Sequence, residues 1–424
     1  MARLNQALEL RQLAQRLAAA DEKTNQRPLI VYGALARLLH ARPRLVRVLR
    51  SWLGKQTARS LQHRKLRLWR AISSPNQTTS SSLSTLLIAV HQTDAWTQAK
   101  GFDQKRTDGL SKQPWNHQAR LQNLEQLLDE LRSLLSNRSK TKLFFWHHFD
   151  ALGYLPCSWQ KIFDVLRERN WIVVISSSSL NSDAQEQLKK AGYLISRRQN
   201  VGLCLGAYRD FCSLLNEHQT ILRQIETLVL CNDSTLPIGG AFPFCDQTET
   251  IVQNLPMTFP QMTGLTDSVQ TNAYHIQSYF LAINSPLLQA QCWSQFWRTL
   301  NPNGEKDDLI QRGEVGLSQW LLQKGIQIDA KYSLTKILLK NPGANSELIQ
   351  LDLRQPKEVN TTLMCWKALL ANGFPLIKKQ LLLDPPHFLP RAVPLSELSH
   401  YLSVRDQNLE VDLENLMRSR FFKA

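Results

Sequence analysis

The sequence predicts an α/β protein with a mostly parallel central sheet, preceded by a basic helical region. Three observations predict it. From Lys142 to Cys231, short apolar β-rich runs alternate with amphipathic helical stretches, the pattern of βαβ units. Ahead of them no Asp or Glu stands between Glu22 and Asp94, while Arg, Lys, Leu and Trp recur there. The two regions are separated by Ser73 to Ser84 (SSPNQTTSSSLS), polar and low in complexity, which reads as a linker.

The basic region, residues 1–72, carries Leu4, Leu8, Leu13 and Leu17 and then Leu35 to Leu53 at near-helical spacing, with Pro28 and Pro43 dividing the helices. Arg37, Arg42, Arg44, Arg47, Arg50, Arg64 and Arg67 interleave with those leucines and with Trp52 and Trp69. Such a basic amphipathic face suits an anionic membrane surface, each Lys or Arg near it contributing about 1 kcal/mol. The alternatives are a solvated face packed on the rest of the protein, or nucleic acid, for which no recognised motif speaks and which is not expected.

Composition bounds the rest. The 424 residues are 43% apolar and 20% charged with a net charge of +16, which argues against wholesale disorder and against an integral membrane protein. The longest apolar runs, such as Leu143 to Trp146, fall far short of a bilayer span. The opening MARLNQALELRQLAQRL is charged throughout and does not read as an export signal. Seven cysteines, an odd number without a C-x-x-C pair, fit a reducing compartment. A cytoplasmic protein, peripheral on the inner face of the membrane, is the expectation.

After the linker (73–85), Leu86 to Val90 reads as a short strand and Leu121 to Leu135 as an amphipathic helix. The alternation follows: strands at LFFWHHF, WIVVIS, YLISR and Thr227 to Cys231, helices at Trp159 to Arg169, Asp183 to Ala191 and Ala207 to Leu215. Later helices are expected at Trp293 to Leu300, Val315 to Lys324 and Thr362 to Ala371. The α/β domain spans 86–390, and 391–424 is a helical tail. Ligands of open α/β sheets sit at the carboxyl ends of strands, which directs attention to the residues after ISRR and after TLVL.

The motifs there and beyond are ordered: H-H-F-D at His147 to Asp150, R-x-N-x-G-x-x-x-G-A-Y at Arg198 to Tyr208 and L-x-N-D-S at Leu230 to Ser234. T-D-S at Thr266 to Ser268, H-I-Q-S-Y-F at His275 to Phe280, E-V-G-L-S at Glu314 to Ser318 and P-L-I-K at Pro375 to Lys378 follow. Together they resemble the rhamnan synthesis F family of bacterial polysaccharide glycosyltransferases, over roughly Lys142 to Pro386. That resemblance implies a GT-A-like nucleotide-sugar-binding fold. It also implies sugar transfer by inversion, with rhamnose a candidate sugar, from a nucleotide-sugar donor to a growing cell-surface polysaccharide or lipopolysaccharide O-antigen, free or lipid-linked. Two places depart from the family pattern: Cys204 stands where an Asp is common, and Asn360-Thr361-Thr362-Leu363 stands where N-P-T-H is. These departures keep a second reading open, a catalytically degenerate scaffold of a glycan assembly complex.

With the resemblance, roles can be assigned. Asp233, with Asn232 and Ser234, takes the place of the acidic motif that holds Mg²⁺ or Mn²⁺ against a diphosphate, although Asn-Asp-Ser after a strand is also ordinary turn and cap chemistry. Arg198, Asn200, Gly202 and Gly206 would pass close to the nucleotide and lead into a helix whose first amides favour negative charge. Glu314 is the expected general base, or else a first-turn Glu on its helix dipole; Asp267 is its rival for the base role. His275 and Gln277, sharing one face of a strand, would touch the acceptor, or His275 is a core histidine. Lys378 would clamp the leaving diphosphate.

Overall fold

The computed structural model describes residues 123–421, apart from 137, 139, 271–272, 341–358, 387–388, 390 and 402–405. The basic region, the linker and the expected strand at Leu86 to Val90 lie outside the described residues. The chain divides into two compact units. In the smaller one (1–101, 268–274 and 334–368), the described part includes a helix, Leu334–Lys340, and a short helix, Thr361–Met364, whose N-cap Asn360 accepts from the Leu363 amide. There Ser268 donates to the Val359 carbonyl at 2.9 Å.

The larger unit (102–267, 275–333 and 369–424) holds the sheet. Helix α1 (Leu124–Leu135) leads into β1 (Thr141–His148), α2 (Cys157–Glu168), β2 (Ile172–Ser177), α3 (Ser182–Lys190), β3 (Leu194–Arg197), α4 (Leu203–Glu217) and β4 (Ile225–Asn232), the expected alternation. Then come β5 (Thr235–Pro237), α5 (Ala241–Gln253), β6 (Gln261–Ser268), β7 (His275–Ile276), β8 (Phe280–Asn284), α6 (Gln291–Thr299), α7 (Gly316–Gln323), β9 (Gln327–Tyr332), β10 (Leu376–Lys378) and α8 (Gln407–Phe421). Strand order is β3-β2-β1-β4-β8-β6-β7, with β9 alongside β6. Neighbours β3, β2, β1 and β4 are mutually parallel, as are β6 and β9; β8 runs antiparallel between β4 and β6.

The central strands are near-continuous apolar runs because both faces of the sheet are covered. Alternate residues of β1 show it. Phe144 and Trp146 point to one face, where they meet Phe244 of α5 and Phe163 of α2 edge-on with centroids 6.1 and 5.0 Å apart. Phe145 points to the other and stacks on Phe211 of α4 at 4.3 Å. Helix α2 buries Trp159, Ile162, Phe163 and Leu166 as one stripe against that first face.

One expected element is corrected. His275 to Phe280 is not a single strand: β7 ends at Ile276, the chain turns through Ser278 and Tyr279, and β8 begins at Phe280. The turn exists because Glu314 binds both the amide and the hydroxyl of Ser278. His275 and Gln277 therefore do not share a strand face: His275 Nε2 lies 3.5 Å from Glu314, while the Gln277 side-chain oxygen accepts from Thr266 at 2.7 Å.

Candidate functional site

Parallel pairing puts the carboxyl ends of β1 and β4 side by side, His147 opposite Asn232. The chain then turns, because the Asn232 side-chain carbonyl accepts from the Ser234 amide at 3.0 Å. The turn aims Asp233 across to β1: its amide donates to the His147 carbonyl at 3.1 Å, and its Oδ2 accepts from the Phe149 amide at 3.3 Å. Strand β10 pairs antiparallel with β5, Lys378 opposite Thr235, and thereby delivers two lysines to this turn. Lys378 Nζ donates to Ser234 Oγ at 3.0 Å, and Lys379 Nζ lies 3.1 Å from Asp233 Oδ2.

A hydrogen-bond chain leads from the turn to Glu314. Asn232 Nδ2 donates to the Tyr208 hydroxyl (3.2 Å), which donates to the Ser278 carbonyl (3.0 Å); the Ser278 amide and hydroxyl then donate to Glu314. Glu314 is not the opening residue of a helix as expected. It lies in a π-helical stretch, Ile310–Val315, between the short helix Lys306–Leu309 and α7, and so has no first-turn dipole partner. Burial pushes its carboxyl up, but the hydrogen bond and charge of His275 and the two bonds from Ser278 outweigh this and hold it at about 2.

Tyr279 sits amid these groups. Lys378 Nζ lies 4.6 Å from its ring centroid, its hydroxyl lies 2.6 Å from that of Thr266, and burial together with the nearby carboxylates of Glu314 and Asp267 pushes the phenol up. Asp267 is buried beside Thr266 at the end of β6. Burial also lowers Lys378, against the opposing pull of Glu314, and raises the Cys204 thiol to about 12, helped by Glu314 and Asp233. Cys204 is thus a neutral group among charged ones.

The glycine loop is built differently from its neighbours. Arg198 is 2% exposed and spends Nη2 on the Val201 carbonyl (2.6 Å) and Asp210 (3.0 Å), so it braces the loop from within. Asn200 is exposed on that loop. Gly202 has φ +75°, and a Cβ there would stand 2.7 Å from Pro302 Cβ; one on Gly206 would run into the Val201 carbonyl. Leu203, also left-handed at φ 51°, opens α4 without a side-chain cap. The loop's close packing accounts for both glycines without a ligand.

On the β1 side, burial and then the neighbouring charges of Arg198 and His148 keep His147 neutral. His148 Nε2 lies 2.7 Å from the Tyr154 carbonyl, to which it donates, and Nδ1 faces Ser177 Oγ at 3.0 Å. Asp150 accepts from the amides of Leu152 and Tyr154 and from Ser419 of α8. Sequence reasoning missed Lys379, Tyr208, Ser278 and Tyr279 as members of the cluster, although Tyr208, Ser278 and Tyr279 stood inside quoted motifs. A separate cleft of about 830 Å³, lined by Lys161, Arg167, Phe242 and Asp406 among others, contains none of the expected residues.

Residues 172–382 match the family model of rhamnan synthesis protein F. That region is similar to rhamnan synthesis protein F. The matched region runs from β2 to just past β10 and takes in the Asn-Asp-Ser turn, Glu314 and both lysines, leaving His147 to Asp150 ahead of it. Among curated proteins, the virulence protein VirA of Vibrio anguillarum is 25% identical over 237 residues, 53% of this chain and 74% of that protein. An uncharacterized protein, y4gN, of Sinorhizobium fredii is 22% identical over 191 residues, 45% of this chain and 48% of its own length. The rhamnan synthesis F region ties the chain to polysaccharide synthesis.

Proposed function

We propose that the protein transfers a sugar from a nucleotide-sugar donor to a growing surface polysaccharide, and that its central sheet is of the GT-A type. One observation carries the reading. The Asn-Asp-Ser turn with its two lysines and the carboxylate of Glu314 are joined by one hydrogen-bond chain at the carboxyl end of the parallel strands, where open α/β sheets bind ligands. An anion-binding end and a proton-accepting end are what displacement of a nucleoside diphosphate by a sugar hydroxyl needs.

In this reading Lys378 and Lys379 face the diphosphate and neutralise the charge that grows as the glycosidic bond breaks. Glu314 takes the acceptor proton, with Asp267 next in line. The bonds that keep Glu314 ionised also reduce its basicity, so an acceptor hydroxyl has to displace Ser278 or His275 before the proton moves. His275 and Gln277 border the acceptor side. The second reading, a non-catalytic scaffold, draws on Cys204, a neutral thiol among the charged residues of the site.

A screen of nucleotide sugars for thermal stabilisation and donor consumption separates the two. The proposal expects at least one donor to be bound and consumed. It expects Asp233→Asn to weaken donor binding by releasing Lys379 from the ion pair that positions it, and Glu314→Gln to keep binding while transfer falls by about 10²- to 10⁴-fold. Binding without consumption of any donor would favour the scaffold.

A further inference from the structure

We infer that the diphosphate site of this protein is built without a divalent cation, its two positive charges being the ammonium groups of Lys378 and Lys379. The inference rests on the transfer reading for the identity of the ligand, but its argument is the donor set. A Mg²⁺ or Mn²⁺ ion wants several oxygen ligands, carboxylates first. The turn after β4 offers one carboxylate, Asp233, and its Oδ2 already faces Lys379 at 3.1 Å and the Phe149 amide at 3.3 Å. The Asn232 carbonyl oxygen is taken by the Ser234 amide, and Ser234 Oγ by Lys378. Among the described residues no three His, Cys, Asp or Glu side chains come together as a metal-holding group. The position where the family pattern has a further Asp is Cys204, whose thiol stays protonated.

The lysines, by contrast, are fixed in place by backbone. β10 is paired to β5 through Lys378 and Thr235, and the Lys379 amide donates to the Ser234 carbonyl at 3.0 Å. In a continuing strand, neighbours 378 and 379 would point to opposite sides. Here the strand ends at Lys378 and a helix begins at Lys379, so both ammonium groups reach the same turn. Asp233 and Tyr279 hold them there by an ion pair and a cation–π contact. When a diphosphate arrives, Lys379 keeps Asp233 on one side and presents its remaining N–H donors to phosphate oxygens, while Lys378 does the same from Ser234.

The test uses the full chain and inorganic pyrophosphate as the probe. Calorimetric titration in EDTA should give saturable binding, weakened about tenfold or more in Lys378→Met and in Lys379→Met and not rescued by Mn²⁺. Lys379→Arg, which keeps the charge, should bind within a few-fold of the parent, and separates loss of charge from loss of structure. Paramagnetic resonance titration with Mn²⁺ alone should show no site that Asp233→Asn removes. Pyrophosphate binding that requires Mn²⁺, or a Mn²⁺ site lost in Asp233→Asn, overturns the inference. Nucleotide-sugar consumption is then run in EDTA and in Mn²⁺. Consumption only with Mn²⁺ sinks the cation-free site and leaves the transfer reading standing. Pyrophosphate binding in EDTA with no donor consumed in either condition upholds the site and sinks the transfer reading.

Discussion

Two acid-side titrations are built into single residues, and they separate on the pH axis. His147 and His148 are buried, and burial lowers both from 6.5; in the unfolded chain they protonate first, so stability declines as pH falls below about 6.5. Glu314 is lowered from 4.5 to about 2, so its contribution is full above about 4.5 and fades as pH falls toward 2. At neutral pH it is of order 3 kcal/mol. We predict that Glu314→Gln flattens the stability profile between about pH 4.5 and 2 while leaving the decline below about 6.5 in place, as read by urea unfolding across that range. If the variant retains the lower decline, Ser278 and His275 do not stabilise an ionised Glu314. At this scale the sequence was partly legible. Asp233 follows a buried strand, as its motif suggested, but Lys379 was invisible because adjacent residues are assumed to point apart, and the partners of Glu314 depend on a π-helical turn that no spacing rule announces.

Among elements, α8 does more than close the chain. Its Asp412 is fully buried and accepts from the amides of Cys157 and Ser158, from the Ser158 hydroxyl and from Tyr154, capping the start of α2 with a carboxylate from 254 residues away. Ser419, from the same helix, donates to Asp150. The two fasten residues 149–158, whose first amide holds Asp233. We predict that Asp412→Ala costs about 2–4 kcal/mol, since it strands buried donors at a helix start, and that it weakens donor binding through the loop. Denaturant unfolding and donor titration measure the two effects. Unchanged donor affinity in a folded Asp412→Ala would disconnect the cap from the site. The helix Gln407–Phe421 falls within the expected helical tail; its docking was not legible, because a lone Asp on a polar helix reads as solvated.

For the whole molecule, charge is the property that composition makes plainest. The net +16 is concentrated where residues 24–93 lack any carboxylate, and we propose that this region holds the protein on an anionic membrane surface. Among the described residues no helix is long and apolar enough to cross a bilayer. Replacing Arg42, Arg44, Arg47 and Arg50 by Glu should reduce co-sedimentation with phosphatidylserine vesicles, and added salt should weaken the parent's binding likewise. Binding unaffected by either change would remove the assignment. The βαβ alternation was readable because buried parallel strands are apolar throughout and their helices carry one apolar stripe. The path after β4 was not, since β5, β7 and β10 are two or three residues long, and β5 and β10 pair with each other from far apart in the chain.

The distance between Asp412 and the helix it caps also has a meaning in time. A ribosome delivers α2 and the loop before it some 254 residues ahead of the carboxylate that satisfies their amides. Until α8 emerges and docks, the start of α2 is left to water and the loop has no anchor from that side. Pairing of β1 to β4 does not need this contact, because the four strands are contiguous in sequence, whereas the loop that carries the Phe149 amide to Asp233 gains its Asp412 and Ser419 contacts only with α8. A nascent chain can therefore pair β1 to β4 before the Asp412 contacts of α8 exist.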